Sequence, residues 1–334
     1  MRKKNKIILL IAYCLLPFAS LAQTVKLLHS GNKISLRGLS VVDDKTIWVS
    51  GSSGTVGQSL DSGNTWKWMT VQGFEKTDFR DIEAFDKKTA VIMGIASPAY
   101  ILKTKDGGET WKVVYENKDT TMFLDAMEFW NEQSGIVIGD PLKGKMFVAR
   151  TFDGGNTWQH LPSTKLPEVA EGEACFASSG TNIRKLNKKE AVFITGGKKS
   201  RMFIRDNKIE MPIIQGTETT GANSLAVKNS KTMIVVGGDF NTKDSSTKNC
   251  IITTDGGKTF ATPAIPPHGY RSCVEHIKND KWISCGLNGV DISTDNGNIW
   301  QWISKESFHA CRKLKRASCF FSGGNGRIGK LIME

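Results

Sequence analysis

The stretch Thr104-Lys105-Asp106-Gly107-Gly108-Glu109-Thr110-Trp111 decides how this chain folds. It combines a hydroxyl residue, an aspartate, a glycine, a second hydroxyl residue and an aromatic residue at fixed spacing. An aspartate accepts hydrogen bonds from backbone N–H groups a few residues on, and glycine supplies the positive φ that a tight turn needs. The stretch therefore predicts a hairpin turn whose aromatic residue opens the next strand and packs inward.

The same pattern occurs five times along the chain. Its aspartates are Asp61, Asp106, Asp153, Asp255 and Asp295. Successive aspartates are 45, 47, 102 and 40 residues apart, and 102 residues corresponds to two periods with one copy lost. A period in the forties is typical of four-stranded propeller blades. Because the pattern repeats at equivalent positions, we interpret these aspartates as structural residues and not as metal or phosphate ligands.

Alignment of the repeats predicts an all-β fold, a seven-bladed β-propeller of four-stranded antiparallel blades. Short apolar runs bounded by glycine and aspartate indicate the strands. The innermost strands are predicted to begin near Leu36, Phe79, Leu124, Thr181, Asn223, Arg271 and His309. The seventh blade lacks an outer strand of its own, and Val25-Lys26-Leu27-Leu28 resembles one. We therefore expect this N-terminal strand to close the ring, which protects otherwise exposed strand edges.

The repeated pattern is similar to the Asp box, also called the bacterial neuraminidase or BNR repeat, and the whole mature chain resembles the Asp-box propellers. Among them it most resembles the photosystem II stability and assembly factor family. In that family an apolar strand and a Gly-containing turn precede the hairpin, as Val49-Ser50-Gly51 and Ile92-Met93-Gly94 do in this chain. The resemblance implies a propeller that binds other proteins through an arginine-rich face. Sialidases and xyloglucanases carry the same repeat, so a glycoside hydrolase stays open.

The N-terminus predicts export. Four basic residues precede the apolar run Ile7 to Leu16, and Ser20-Leu21-Ala22 ends in the small residue after which a signal peptidase cuts. We expect a signal peptide over residues 1–22 and one propeller domain over residues 23–334, periplasmic or secreted after cleavage near Ala22. The apolar run is too short for a membrane span, and no later stretch approaches the about 18 apolar residues that a span needs.

The charge balance points to an anionic partner. The chain has 45 Lys and Arg against 33 Asp and Glu, a net charge of +12 that becomes +8 without the four N-terminal basic residues. This excess favours an exported protein client or an anionic glycan. No basic run with interleaved aromatics predicts nucleic-acid binding.

No cofactor or metal is expected. The histidines are scattered without ligand spacing. The stretch Gly324–Gly329 matches a dinucleotide fingerprint, but only five residues follow it. A dinucleotide site needs a helix and an acidic ribose ligand about 20 residues on, so an oxidoreductase is not expected.

The face opposite the repeated turns carries the long and polar loops, where function usually resides on a rigid scaffold. Arg37, Arg80 and Arg271 align at the starts of innermost strands, so their side chains are expected to converge on the mouth of the central channel. Three guanidiniums can hold a carboxylate or sulfate through paired hydrogen bonds, and local pairing with carboxylates is the alternative. The other candidate ligand-binding residues are Asn182, Asn223, His309, Asp140 and Asp239.

The alternative function is a glycoside hydrolase that acts on an acidic glycan at the same mouth. Its catalytic candidates are Asp81, Asp125 and Tyr270. Similarity to sialidases implies an arginine triad and a tyrosine nucleophile activated by Glu173 or Glu275. The sialidase Arg-Ile-Pro motif is absent, and seven blades disagree with the sialidase six. The sequence leaves the question of catalysis open, and the binding hypothesis leads.

Six cysteines follow Ala22, namely Cys175, Cys250, Cys273, Cys285, Cys311 and Cys319. Six cysteines allow 15 disulfide pairings, and buried free thiols fit the pattern equally well. Cys273 and Cys311 fall at matching places in successive blades, so we expect them to lie close together.

Overall fold

The computed structural model describes residues 23–315 and 318–333, which form seven antiparallel sheets. The innermost strands contact one another in a closed cycle, from blade 1 through blade 7 and back to blade 1. This arrangement confirms the predicted all-β, seven-bladed propeller. The predicted signal peptide, residues 1–22, lies outside the described residues.

The first four blades contain four strands each. Their bounds, from the innermost to the outermost strand, are Leu36–Val41, Ile47–Gly51, Thr55–Ser59 and Lys67–Thr70 in blade 1; Phe79–Ala84, Ala90–Gly94, Ala99–Thr104 and Lys112–Asn117 in blade 2; Leu124–Phe129, Gly135–Leu142, Lys145–Thr151 and Gln159–His160 in blade 3; and Ile183–Lys185, Ala191–Ile194, Arg201–Ile204 and Asn207–Glu210 in blade 4.

The sheet of blade 5 has five strands because two short strands join its inner edge. Its strands are Glu173–Ala174, Gly196–Gly197, Thr220–Val227, Met233–Asp239 and Cys250–Thr253. Blade 6 contains Cys273–Lys278, Lys281–Gly286, Gly289–Ser293 and Trp300–Ser304, and blade 7 contains Ala310–Lys313, Cys319–Ser322, Ile328–Met333 and the N-terminal strand Gln23–His29. Two 3₁₀ turns, Ser163–Lys165 and Gly324–Gly326, complete the described elements. Among these elements no helix has the length and apolar character of a membrane span.

The N-terminal strand closes the ring, as predicted. It pairs antiparallel with the last strand of blade 7, so that Gln23 faces Met333. Val25 packs against the apolar cluster between blades 6 and 7, and Leu28 packs against the cluster between blades 7 and 1. The closing strand therefore contributes to two clusters as well as to one sheet.

The core lies between the blades. The described residues form seven apolar clusters, one for each pair of neighbouring blades. Trp48 of blade 1 shows the arrangement: its side chain is fully buried against blade 2, and its indole N–H donates to the carbonyl of Asp86 at 3.1 Å. Each sheet is thus covered on both faces, which explains the long apolar runs of the inner strands.

The repeated turns are held by hydrogen bonds within each turn. In the second copy Asp106 accepts from the Thr110 N–H at 3.0 Å and from the Thr110 hydroxyl at 2.5 Å. The Thr104 hydroxyl donates to the same carboxylate and accepts from the Gly108 N–H at 3.0 Å. The Thr110 hydrogen bonds lower the pKa of Asp106 to about 2. Because both carboxylate oxygens are engaged locally, the turn geometry fits a structural role.

Strand direction places these turns at one end of the ring. Each turn follows the third strand of its blade, which runs parallel to the innermost strand across the antiparallel sheet. The turns and the ends of the innermost strands are therefore on one face. The starts of the innermost strands are on the other.

Candidate functional site

A pocket of about 450 Å³ opens where the innermost strands begin. We call it the arginine pocket. Its polar and charged side chains are Arg37, Arg80, Asp140, Ser178, Asn223, Ser272 and His309, and its aromatic side chains are Phe123, Phe176, Phe240 and Tyr270. The combination can bind a ligand that offers both an anionic group and apolar surface.

Arg37 and Arg80 reach the pocket because each is the extra residue of a β-bulge. In blade 1 the register shifts between Leu36 and Gly38, and in blade 2 it shifts between Phe79 and Asp81. A bulge re-aims the side chain of the extra residue. The two arginines therefore leave the plane of the sheet at the same level of neighbouring blades.

The two guanidiniums are incompletely paired. Arg37 donates to the carbonyl of Ser178 at 3.3 Å, and no described carboxylate lies within 4.0 Å of it. Arg80 forms an ion pair with Asp78 at 2.8 Å and lies 5.9 Å from the centre of the Phe123 ring. Burial, and then the charge of Arg80, lower the pKa of Arg37. A bound anion would relieve this repulsion between neighbouring cations.

His309 and Asp140 are the pocket groups other than the arginines whose charge could change at moderately acidic pH, since burial raises the pKa of Cys175 and of Tyr270. Burial and the neighbouring arginines lower the pKa of His309 to about 3, so the imidazole is neutral. Its Nε2 lies 3.3 Å from the Ser35 hydroxyl, and its buried Nδ1 has no partner among the described residues. Burial raises the pKa of Asp140 to about 6, although the Cys175 N–H donates to its carboxylate at 3.0 Å. Asp140 is thus the group that changes charge near neutral pH.

Arg271 lies outside the arginine pocket, contrary to the sequence alignment. Gly286 abuts the backbone of Arg271 just as Gly51 abuts that of Leu36. Arg271 therefore occupies the inward position of Leu36, and the counterpart of Arg37 is Ser272. A shift of one residue turns a strand side chain to the opposite face.

The Arg271 side chain is fully buried inside blade 6. Its Nε donates to Asp291 at 2.6 Å, and its Nη1 donates to Asn288 at 2.5 Å and to the Tyr270 carbonyl at 2.8 Å. With a further hydrogen bond from Nη2 to Asp291, all three guanidinium nitrogens are engaged. Arg271 thus pairs locally with a carboxylate, which was the alternative to a shared anion site. The three predicted arginines do not meet in one pocket.

Two further candidates do not line the arginine pocket. Asn182 is fully buried and donates to the Phe176 carbonyl at 3.3 Å. Asp239 accepts from the Asn241 N–H at 2.9 Å at the end of its strand. The structure thus brings together Arg37, Arg80, Asp140, Asn223 and His309, and leaves out Arg271, Asn182 and Asp239.

The catalytic candidates are engaged or inaccessible. Asp81 accepts from the N–H groups of Ile82 at 2.9 Å and Met127 at 2.8 Å, and burial raises its pKa to about 7. Asp125 is 0% exposed, burial raises its pKa well above the usual range, and its oxygens have no partner among the described residues. Tyr270 donates to Asn223 at 2.8 Å, and burial raises its pKa.

The carboxylates proposed to activate Tyr270 have other partners. Glu173 pairs with Arg201 and accepts from the Thr195 hydroxyl at 2.6 Å. Glu275 pairs with Arg184 at 3.2 Å and lines a separate cavity. A phenol with a raised pKa and an amide partner lacks the base that a tyrosine nucleophile requires. In the described part of the chain, no three His, Cys, Asp or Glu side chains are grouped to hold a metal ion.

Part of the sequence matches a known protein family. A family model described as photosynthesis system II assembly factor YCF48 matches residues 67–196. None of the curated proteins matches the sequence. A structure of YCF48 bound to D1 peptide is 15% identical with a TM-score of 0.65, covering 96% of this chain and 100% of that chain.

Other propellers are equally similar in shape. YCF48 from Cyanidioschyzon merolae is 14% identical with a TM-score of 0.65, covering 92% of this chain and 98% of its own. A streptogramin B lyase is 13% identical with a TM-score of 0.66, covering 93% of this chain and 98% of its own. Likeness at such identities shows the fold alone, since one fold hosts unrelated functions. Together with the family model, it identifies a seven-bladed β-propeller that resembles the photosystem II assembly factor family.

Proposed function

We propose that the chain is a non-catalytic, assembly-factor-like propeller whose arginine pocket binds an acidic segment of a protein client. The main support for this proposal is that Arg37 lacks a counter-ion. No described carboxylate lies within 4.0 Å of it, and a second guanidinium lies beside it. Charged hydrogen bonds from arginine to a carboxylate are among the strongest that proteins form.

The lining of the pocket fits a peptide. Four aromatic side chains surround the two arginines, and the volume of about 450 Å³ accommodates a few residues. Aromatic rings pack well against apolar side chains of a peptide. A similar propeller, YCF48, is described with a bound D1 peptide, which supports a protein client as the partner class.

The test is the affinity for a fluorescein-labelled peptide of alternating Asp and Phe residues, measured by fluorescence polarisation. Arg37→Ala and Arg80→Ala are each expected to weaken binding by about tenfold or more, because a charged hydrogen bond contributes about 1.5–3 kcal/mol. Arg205→Ala is the matched control, since Arg205 is exposed and pairs with Glu190 on blade 4. An Asn-for-Asp peptide that binds equally well, or unchanged affinity in both pocket variants, would refute the proposal.

Binding is expected to depend on pH through Asp140. Its pKa is raised to about 6, so the carboxylate is negative at pH 7.5 and mostly neutral at pH 5.5. Loss of this negative charge makes the pocket more cationic, and the acidic peptide should bind several-fold more tightly at pH 5.5. His309, with a pKa of about 3, stays neutral across this range. The Asp140→Asn variant should bind the peptide equally well at both pH values. If its affinity still changes with pH, Asp140 is not the group responsible.

We further propose that the chain is exported and cleaved after Ala22. The basic N-terminus, the apolar run and the small residue at position 22 support this. Intact mass measured on protein from the periplasm or medium should correspond to a chain that begins at Gln23, whereas an uncleaved mass would argue against export by this route.

A further inference from the structure

Four buried cysteines meet between blades 6 and 7. Cys273, Cys285, Cys311 and Cys319 are each 0% exposed, are free thiols and belong to one apolar cluster. Cys273 faces Cys285 directly across two antiparallel strands. The Cα atoms of such partners are about 4.5–5.5 Å apart, within the range that a disulfide spans.

The sulfur of Cys273 is surrounded by hydrogen-bond donors. The Cys311 N–H lies 3.3 Å from it, and the Thr181 hydroxyl and the Arg312 guanidinium each lie 3.7 Å from it. As a thiol, the same sulfur can donate to the Cys311 carbonyl, which lies 3.5 Å away. Several donors around one sulfur, one of them cationic, stabilise the thiolate form. Neither Cys175 nor Cys250 has such contacts in the described structure; Cys175 donates to the Ile194 carbonyl instead.

The pKa of the Cys273 thiol is shifted in the opposite direction from the pKa values of its neighbours, which agrees with these contacts. Burial raises the pKa of the Cys273 thiol, but hydrogen bonds from Cys285 and Cys311 and the charge of Arg312 outweigh it and hold the pKa well below its ordinary value. Burial raises the pKa of the Cys285 and Cys311 thiols. The Cys273 thiol is therefore more acidic than the thiols beside it.

Arg312 lies between this buried sulfur and a cavity. The arginine lines a cavity of about 360 Å³ at the end of the channel opposite the arginine pocket. The same guanidinium contacts the Cys273 sulfur. A small oxidant that enters this cavity is thus separated from the sulfur by one side chain.

We infer that Cys273 is a peroxide-reactive thiol that forms a disulfide with Cys285 or Cys311. In the first step the Cys273 thiolate attacks a hydroperoxide, an S–O bond forms, the O–O bond breaks, and Cys273 becomes a sulfenic acid while hydroxide or alkoxide leaves. In the second step the neighbouring thiol attacks that sulfur, the S–O bond breaks and water leaves with the thiol proton. The two cysteines are oxidised by two electrons and the peroxide is reduced by two.

The test is hydrogen peroxide treatment of the folded protein, followed by unfolding in an alkylating reagent and peptide mass mapping. We expect two thiols to be lost and one disulfide that contains Cys273. Arg312→Gln should slow the reaction, because it removes the charge that stabilises the thiolate. Cys250→Ser is the matched control, since Cys250 is a free thiol buried in blade 5, and it should oxidise as the unchanged protein does.

Cys273→Ser separates reactivity from folding. Far-UV circular dichroism and thermal melting should show a folded protein, and peroxide should then leave all remaining thiols alkylatable. The inference is overturned if the unchanged protein keeps all its thiols after peroxide, if oxidation requires prior unfolding in guanidinium chloride, or if Cys273→Ser forms a disulfide at the original rate.

Discussion

Arg271→Ala is expected to lower the free energy of unfolding by about 3–5 kcal/mol. The substitution leaves the Asp291 carboxylate, which is 1% exposed, without its cationic partner inside blade 6. It also removes donors from Asn288 and the Tyr270 carbonyl. The effect should be measured by guanidinium chloride unfolding, and a loss below about 1 kcal/mol would show that the charge pair is not truly buried.

A second variant tests the cause of that loss. In blade 1 the positions of Arg271 and Asp291 are held by Leu36 and Gly57. The double substitution Arg271→Leu with Asp291→Ala should therefore be more stable than Arg271→Ala, because replacing both partners of a buried ion pair by apolar residues is often close to neutral. The practical consequence is that Arg271 variants are unsuitable for binding assays, since lost binding would report lost structure.

Removal of residues up to Ser30 is expected to destabilise the ring by more than about 5 kcal/mol, a large part of the stability of a typical domain. The deletion leaves the edge of Ile328–Met333 unpaired and takes Val25 and Leu28 out of two apolar clusters. Full burial of such a side chain contributes about 1.5–3 kcal/mol, and these two partly buried side chains add their share to the loss of the strand's hydrogen bonds. Guanidinium chloride unfolding should show the loss, and amide hydrogen exchange should show it first in blades 7 and 1.

A circular permutation is the control for this deletion. Gln23 faces Met333 in the register of the closing pair, so the strand Gln23–His29 can follow the last strand through a short hairpin turn. This permuted chain keeps the contacts and changes only the connection. It should recover most of the lost stability, and failure to do so would show that the strand acts through something other than ring closure.

The propeller could be predicted because its turn chemistry is local. Asp106, Gly108 and Thr110 act within one turn, and the sequence spacing therefore carries the fold without knowledge of distant contacts. Blade 4, which lacks the pattern and carries Arg205 at a φ of 52° in its turn, was found only from its strands. The two short strands that join blade 5 were missed, since Gly196 and Gly197 have no strand propensity.

The site was only partly predictable because it depends on register. Arg37 and Arg80 were placed correctly at the strand starts, whereas Arg271 was aligned one residue away from its true position. The sequence did hold a usable signal in Asp291, which stands between Val290 and Ile292 in the strand Gly289–Ser293. A carboxylate in such an apolar stretch is seldom fully buried unless it is paired. The aromatic lining, which comes from loops of several blades, has no sequence period to reveal it.

The pairing of the first strand with the last also determines when the ring can close during protein synthesis. The strand Gln23–His29 is synthesised about 300 residues before its partner Ile328–Met333. At about 5–20 residues per second, it waits roughly 15–60 seconds with its edge unpaired. The ring therefore closes only after translation of the seventh blade. Until then the nascent chain carries an open strand edge at each end of the array, and this is the interval in which a chaperone would protect it most.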